Sequence, residues 1–281
     1  MGFTRSPLRY PGGKSRLAPF ILSLIKSNNL VGSYYIEAFA GGAGIAWYLL
    51  FNGHVSKVIL NDLDPAIYAF WHVVFFKTEE LCNKIINTPI NIKIWKEQKN
   101  ILENPKSYTQ LELGFATFYL NRTNRSGIIR GGVIGGKNQT SKWKINARYN
   151  KRDLLQRIRR IAKYRESVKL YKLDALIFIK SKLPKIKEKY LVFIDPPYIH
   201  RGHDLYMNNY HTKEHSKLAT IIKNKKNINW VVSYDNVPEI KNYYGSYRRR
   251  LFHLNYSINH RYLGSEVMVF SPTLTIPRKI F

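Results

Sequence analysis

An open, mainly parallel α/β sheet is the fold class this sequence predicts, and three observations point to it. Short apolar, β-branched or aromatic runs stop abruptly at polar or glycine signals, as buried strands do. Helical periodicities separate those runs, and strand–helix alternation builds α/β sheets. Polar residues suited to chemistry stand at the carboxyl ends of most of the runs, where open α/β sheets bind ligands.

In chain order, a helical pattern over 14–27 precedes the first strand, "SYYIEAF" (33–39). A helix over 42–52 leads to "KVILND" (57–62), and a helix over 65–76 follows. Residues 77–165 then break the alternation: they are mostly helical in pattern and hold no buried strand. Within them "RSGIIRGGVIGGKNQTSKWKINARYNK" (125–151) is rich in glycine and basic residues, which predicts an exposed hairpin or loop. Alternation resumes with "VKLYKLD" (168–174), a helix over 174–183, "YLVFIDPPY" (190–198), a helix over 213–225 and "NWVVSYDN" (229–236). "RRRLFHLNYSI" (248–258) and "SEVMVFSP" (265–272) read as two final strands joined by a basic turn. The expected organisation is one α/β domain in two parts, 1–76 and 166–281, with 77–165 inserted between them.

The chain of 281 residues is 44% hydrophobic, enough for one large domain or for one domain carrying a sizeable insertion. Its 46 Lys and Arg against 18 Asp and Glu give a net charge of +28, for which a polyanion is the natural partner. A lone cysteine, Cys82, excludes an internal disulfide and predicts a reducing, cytoplasmic setting. There is no apolar segment of signal-peptide type at the start, and "IAWYLLF" (45–51) is too short to span a bilayer.

"LRYPGGKSRL" (8–17) looks like the end of a phosphate loop. Such a loop needs a first glycine where Leu8 stands and a strand before it, and neither is present. Gly12 and Gly13 can still form a turn that brings Lys14 to an anionic group, or simply a surface turn before a helix. "YIEAFAGGAG" (35–44) runs a strand into a glycine turn and a helix, which lets backbone approach a ligand and aims a helix N-terminus at it. Glu37 closes that strand, where a cationic or hydroxyl group can meet it; a plain βα turn is the other reading. In "ILNDLDP" (59–65), Asp62 ends the next strand at the position that binds a ribose diol in nucleoside-binding folds, while Asp64 caps a helix with Pro65 at its first position.

"VFIDPPY" (192–198) is the most specific signal. An apolar strand delivers Asp195, Pro196, Pro197 and Tyr198 at its end. The prolines offer carbonyls without N–H and stiffen the backbone. The Asp195 carboxylate and the Pro196 carbonyl then form a rigid acceptor pair beside an aromatic face, suited to a planar group bearing an NH2, such as adenine. Two acceptors on both amino hydrogens favour pyramidalisation and bring the nitrogen lone pair to bear on an electrophile.

With "RYPGGKSRL", "EAFAGGAG", "NDLDP", "FYLNRTNRSG", "IDPPY" and "NYHT..H..LA" (209–219) in that order, the chain resembles the Dam-type DNA adenine-N6 methyltransferases. The resemblance implies a Rossmann-like S-adenosylmethionine fold with a mainly helical target-recognition insertion carrying a hairpin. It implies S-adenosylmethionine as methyl donor, S-adenosylhomocysteine as product, and no metal. By it, Tyr10 and Lys14 border the methionine end of the cofactor, with Lys14 near its carboxylate. Glu37, Phe39 and Gly41 line the cofactor turn, Asp62 takes the ribose, Asp174 contacts the cofactor adenine, and Asp195, Pro196 and Tyr198 hold a flipped target adenine. Two departures stand out. Ala43 occupies the place of a family glycine, next to Gly44, and Arg125 and Ser126 replace an aromatic–Asn pair of the GATC-methylating members. The recognition sequence is therefore left open.

The reaction so implied moves a methyl group to N6 of an adenine drawn out of double-stranded DNA. Asn121, Arg122, Arg125, Arg130, Lys142 and Arg148 are the expected DNA contacts, interleaved with Trp143 and Tyr149. Most would meet phosphate, and Arg130 or Arg148 would reach guanine edges. Arg157, Arg159, Arg160, Lys163 and Arg165 extend the basic run on a helix, and Arg248, Arg249, Arg250 and Arg261 form a second basic cluster. A cytosine-N4 methyltransferase shares the fold but commonly has Ser or Asn where Asp195 stands; an inactive DNA-binding relative would not need "DPPY" intact. A cognate restriction endonuclease is a possible partner, and no membrane association is expected.

Overall fold

The computed structural model describes residues 6–9, 14–199, 212–257 and 261–278. Its strands are β1 (Tyr34–Glu37), β2 (Lys57–Asn61), β3 (Val168–Tyr171), β4 (Tyr190–Ile194), β5 (Asn229–Asp235), β6 (Arg249–Ser257) and β7 (Arg261–Phe270). They form one sheet in the order β3-β2-β1-β4-β5-β7-β6. β1 to β5 are parallel, and β7 runs antiparallel to β5 and β6 on either side of it. The chain builds outward from β1 to β3 and then returns to place β4 beside β1, with Tyr35 opposite both Val58 and Leu191. That reversal opens a crevice at the carboxyl ends of β1 and β4.

The helices are α1 (Ala18–Ser27), α2 (Gly44–Phe51), α3 (Pro65–Phe76), α4 (Thr78–Asn87), α5 (Ile92–Glu103), α6 (Gln110–Thr123), α7 (Lys151–Ala162), α8 (Ala175–Ser181), α9 (Thr212–Lys223) and α10 (Pro238–Tyr244). A short 3-10 turn, Lys14–Leu17, leads into α1. Alternate residues of each strand serve opposite faces of the sheet. Ile36, Ile59, Val192, Ile194 and Val232 join α8, α9 and α10 in one core. Tyr35, Val58, Leu60, Leu191 and Phe193 join a larger core on the other face, with α1 to α3. All of β4 is buried, as a strand covered on both faces must be.

The expected insertion is helical, but it is not a separate body. Leu81, Leu113, Phe118, Leu154 and Ile158 belong to the same core as Trp47, Phe70 and Trp71 of α2 and α3. α6 starts at a capping box between Thr109 and Glu112 and then lies directly against α3. Gly114 makes that approach possible: a Cβ there would sit 2.6 Å from the Val73 Cγ2 and 2.8 Å from the Ala69 carbonyl.

Of the hairpin or loop expected in 125–151, the structure has the loop and no strand pair. The segment is a series of turns pinned by one antiparallel bridge, Asn124 to Val133. Its backbone takes positive φ at Ser126, Gly127, Gly135, Gly136 and Gln139, and an extended ladder does not survive such reversals. The Gln139 side chain replaces the ladder, donating to the Ile134 and Gly136 carbonyls and accepting from Ile145 N–H.

Candidate active site

The glycine turn after β1 is tied from several sides. Asp62, just past the end of β2, accepts from Gly41 N–H at 2.9 Å and from Asp64 N–H at 3.0 Å. Trp71 of α3 donates its indole N–H to the Gly41 carbonyl at 2.9 Å. Glu37, buried beneath the turn, accepts from Ala46 N–H in the first turn of α2. Gly41 has φ +46, and Ala43 caps α2 in the left-handed region with φ +50. Gly44 does not take over that conformation. A Cβ there would lie 2.2 Å from Ser15 Oγ, so that hydroxyl would have to turn away. Phe39 packs partly buried against the core on the side of α8 to α10.

This end of the crevice is rich in acceptors. Burial pushes the Glu37 carboxyl up to about 8, with the Asp195 charge adding to the rise and Ala46 N–H opposing it. Burial and the neighbouring Asp64 push Asp62 up to about 7, against the two backbone N–H groups it accepts from. Both carboxyls thus gain from a ligand that brings hydroxyl donors or positive charge. A nucleoside carrying a sulfonium cation has both, and each Asp62 oxygen keeps acceptor capacity beyond its backbone bond. Asp174 behaves first as a helix cap: its Oδ1 accepts from Leu176 and Ile177 N–H at the start of α8.

At the end of β4, Asp195 is three-quarters buried, and Pro196, Pro197 and Tyr198 are buried. The partner of Asp195 is Lys14, whose Nζ lies 2.9 Å from Oδ1. The same ammonium donates to Ser233 Oγ of β5 at 2.7 Å and to Glu266 Oε2 of β7. Glu266, only 1% exposed, also accepts from the Tyr198 hydroxyl at 2.8 Å. Lys14 Nζ stands 5.5 Å from the Tyr198 ring centre. Burial alone would lower the Lys14 pKa, but Asp195 and Glu266 reverse that and raise it. Burial raises Asp195 and Glu266, and Lys14 offsets part of each rise.

Lys14, expected near a cofactor carboxylate, is engaged here by side chains of the chain itself. An ammonium has three protons, and three protein oxygens engage this one: Asp195, Ser233 and Glu266. Lys14 thus stands beside Asp195 of "DPPY". Tyr10, with Pro11, Gly12 and Gly13, lies outside the described residues, as do 200–211.

The basic region divides into inward and outward side chains. Asn121 is fully buried: it accepts from Arg9 N–H and donates to the Arg9 and Gly127 carbonyls, stapling the N-terminal segment to the turn after α6. Arg122 is likewise a structural donor, to the carbonyls of Arg148 and Pro7, and burial lowers its pKa to about 10. Arg130 pairs with Asp64 Oδ2 at 3.0 Å, the cap of α3. On α7, Arg157 pairs with Asp153, Arg159 grips Glu79, and Arg160 stacks on Phe51; past the helix, Arg165 covers Phe76. In the second basic cluster, Arg248 donates to the carbonyls of Ser271, Pro272 and Leu274, and Arg250 to that of Arg278; the Arg261 side chain lies outside the described part. Arg125, Lys142 and Arg148 are exposed. Lys142 and Arg148 each stand 5.9 Å from the ring of Trp143, which is 60% exposed.

Residues 10–258 match the D12 class N6 adenine-specific DNA methyltransferase family. The chain belongs to this family. This adenine methyltransferase uses S-adenosylmethionine as methyl donor and DNA as substrate, as membership entails. No curated protein matches it. Among solved structures it is similar to an RNA methyltransferase candidate from Pyrococcus horikoshii, at 10% identity and a TM-score of 0.44 over 97% of this chain and 89% of that one. It is also similar to the rRNA methyltransferase AviRa from Streptomyces viridochromogenes, at 12% identity and a TM-score of 0.45 over 94% and 87%. No helix among the described residues is long and apolar enough to cross a membrane.

Sequence reasoning missed two side chains of the cluster around Lys14, Ser233 and Glu266. A signal was available for the second. Glu266 interrupts the apolar run "VMVF" at its start, and a charge within a strand that reads as core requires a buried partner.

Proposed function

We propose that Asp195 and the Pro196 carbonyl take the two amino hydrogens of a target adenine drawn out of duplex DNA, with the Tyr198 ring against the base and Pro197 stiffening the turn. One observation carries this reading: Asp195 sits at the carboxyl end of β4, in the crevice, with its carboxylate held by Lys14 beside the Tyr198 ring. Glu37, Phe39, Gly41 and Asp62 would hold S-adenosylmethionine across the β1 and β2 ends, with Asp174 at the far rim. When bound, that cofactor supplies the methyl group on a sulfonium that is already strongly electrophilic. The protein's part is then orientation: Asp195 fixes the amino nitrogen and accepts from it, and the prolines keep the acceptors rigid.

Residues 77–165 act in this reading as the target-recognition part. Arg125, Lys142 and Arg148 would meet phosphates, and Trp143 between two cations would meet a base or sugar face. Those contacts supply the few kcal/mol that removing a base from the stack costs. The enzyme is read as site-specific and as acting in the cytoplasm, where methylation of one short site would protect it from an endonuclease of the same specificity.

The test is methylation of mixed-sequence duplex DNA with labelled cofactor, followed by nucleoside analysis and single-molecule sequencing. Label in N6-methyladenine at one short motif is the expected result. Label in N4-methylcytosine, or adenine methylation without sequence preference, would overturn the assignment.

A further inference from the structure

We infer that Glu266 is a positioning residue of the target-base pocket, acting on the base through Lys14 and Tyr198. The inference rests on the reading that Asp195 and Tyr198 hold that base. Three facts support it. Glu266 is buried on β7, a strand that none of the recognised motifs includes. Its two oxygens reach different walls of the pocket: Oε1 accepts from the Tyr198 hydroxyl and Oε2 from Lys14. Lys14 in turn pairs with Asp195, so one carboxylate fixes both the aromatic wall and the cation beside the amine acceptor.

The charge count gives this arrangement a consequence. One ammonium is shared between two carboxylates, so Lys14 does not belong to Asp195 alone. The titratable groups that bear on Asp195 are Lys14 before α1, Tyr35 and Glu37 on β1 and Glu266 on β7, with Tyr198 bonded to the last. Removing the charge of Glu266 hands Lys14 wholly to Asp195. Asp195 then becomes a weaker proton acceptor, and its ionised form persists to lower pH.

The experiment compares single-turnover methyl transfer, at saturating DNA and cofactor, for wild type, Glu266→Gln, Tyr198→Phe and Asp195→Ala across pH. Glu266→Gln is expected to slow transfer by about 10- to 100-fold, the scale of a slightly misplaced reacting group. It should also move the acid limb of the pH–rate profile downward, with cofactor and duplex affinities nearly unchanged. Tyr198→Phe should slow transfer without moving that limb, because no charge is lost. A Glu266→Gln protein at the wild-type rate with an unmoved limb overturns the inference. If circular dichroism shows that this variant does not fold, Tyr198→Phe decides, and a wild-type rate there overturns it. An active Asp195→Ala would sink the base-pocket reading itself, whereas an inactive Asp195→Ala beside an unaffected Glu266→Gln sinks only the role of Glu266.

Discussion

Acidic side chains at the crevice and basic side chains between residues 121 and 165 both crowd together in this fold, yet the two groups behave differently. At the crevice, Glu37, Asp62, Asp195 and Glu266 are few and largely buried, and burial raises the pKa of every one. In the basic region the cations are many, and a large share are engaged by other groups of the chain, some buried and some on the surface. Arg122 holds backbone carbonyls, Arg130 and Arg159 hold carboxylates, and Arg160 lies on an aromatic ring. A polar group at the end of a buried strand has few roles open to it, so its position announces its work. A basic residue in an exposed insertion has many, so the excess charge identifies the partner of the region without identifying the residues that touch it.

The largest effect that would sharpen this contrast is Asp195→Ala, which should abolish methyl transfer and leave cofactor binding by calorimetry nearly intact. Retention of more than a few per cent of activity would break the crevice half of the comparison.

The insertion half is tested by pairing an inward with an outward residue. Asn121→Ala strands the Arg9 N–H and two carbonyls, so urea unfolding should register a loss of about 3 kcal/mol. Lys142→Ala should leave stability within about 0.5 kcal/mol. It should instead weaken duplex binding with a salt slope reduced by about 1. Equal effects of the two substitutions on stability would erase the distinction.

A smaller effect concerns pH. The Glu37 carboxyl stands at about 8 in the folded protein against an ordinary 4.5, so the folded state holds this proton more tightly. The stability it contributes is complete below its unfolded value and is lost as pH rises through the folded one. The cofactor-free melting temperature of wild type should therefore fall across that window relative to Glu37→Gln. Parallel pH curves for the two proteins would show that Glu37 is not so buried.

The smallest expected change is at Ala43. Its left-handed backbone costs an alanine about 1–2 kcal/mol. Its buried methyl returns about 0.8 kcal/mol. A glycine there also has more freedom to lose on folding. Ala43→Gly should accordingly shift stability by less than about 1 kcal/mol, and a larger change in chemical denaturation would mean that the turn is held differently.

All five predicted parallel strands and both terminal strands are present, because the apolar runs pack into the sheet, β4 buried throughout and the edge strand β3 only in part, and each was punctuated where it ended. The Asp64 cap was equally legible, since the N-cap and a proline at the first helical position are local signals. The turns of 125–151 were less so. Glycines announce an irregular loop, but whether it closes as a ladder depends on torsions and on a side chain such as Gln139.

What the sequence determined by itself was the sheet, the crevice and the ordered motifs that place the chain among adenine methyltransferases, because these depend on periodicity and on residues close together in the chain. Only the tertiary structure decided the partners of Lys14. They come from β4, β5 and β7, as far as 252 residues away along the chain. No local pattern carries the choice of which buried carboxylate neutralises which cation. It is made when the strands pack and each buried charge must find an opposite one.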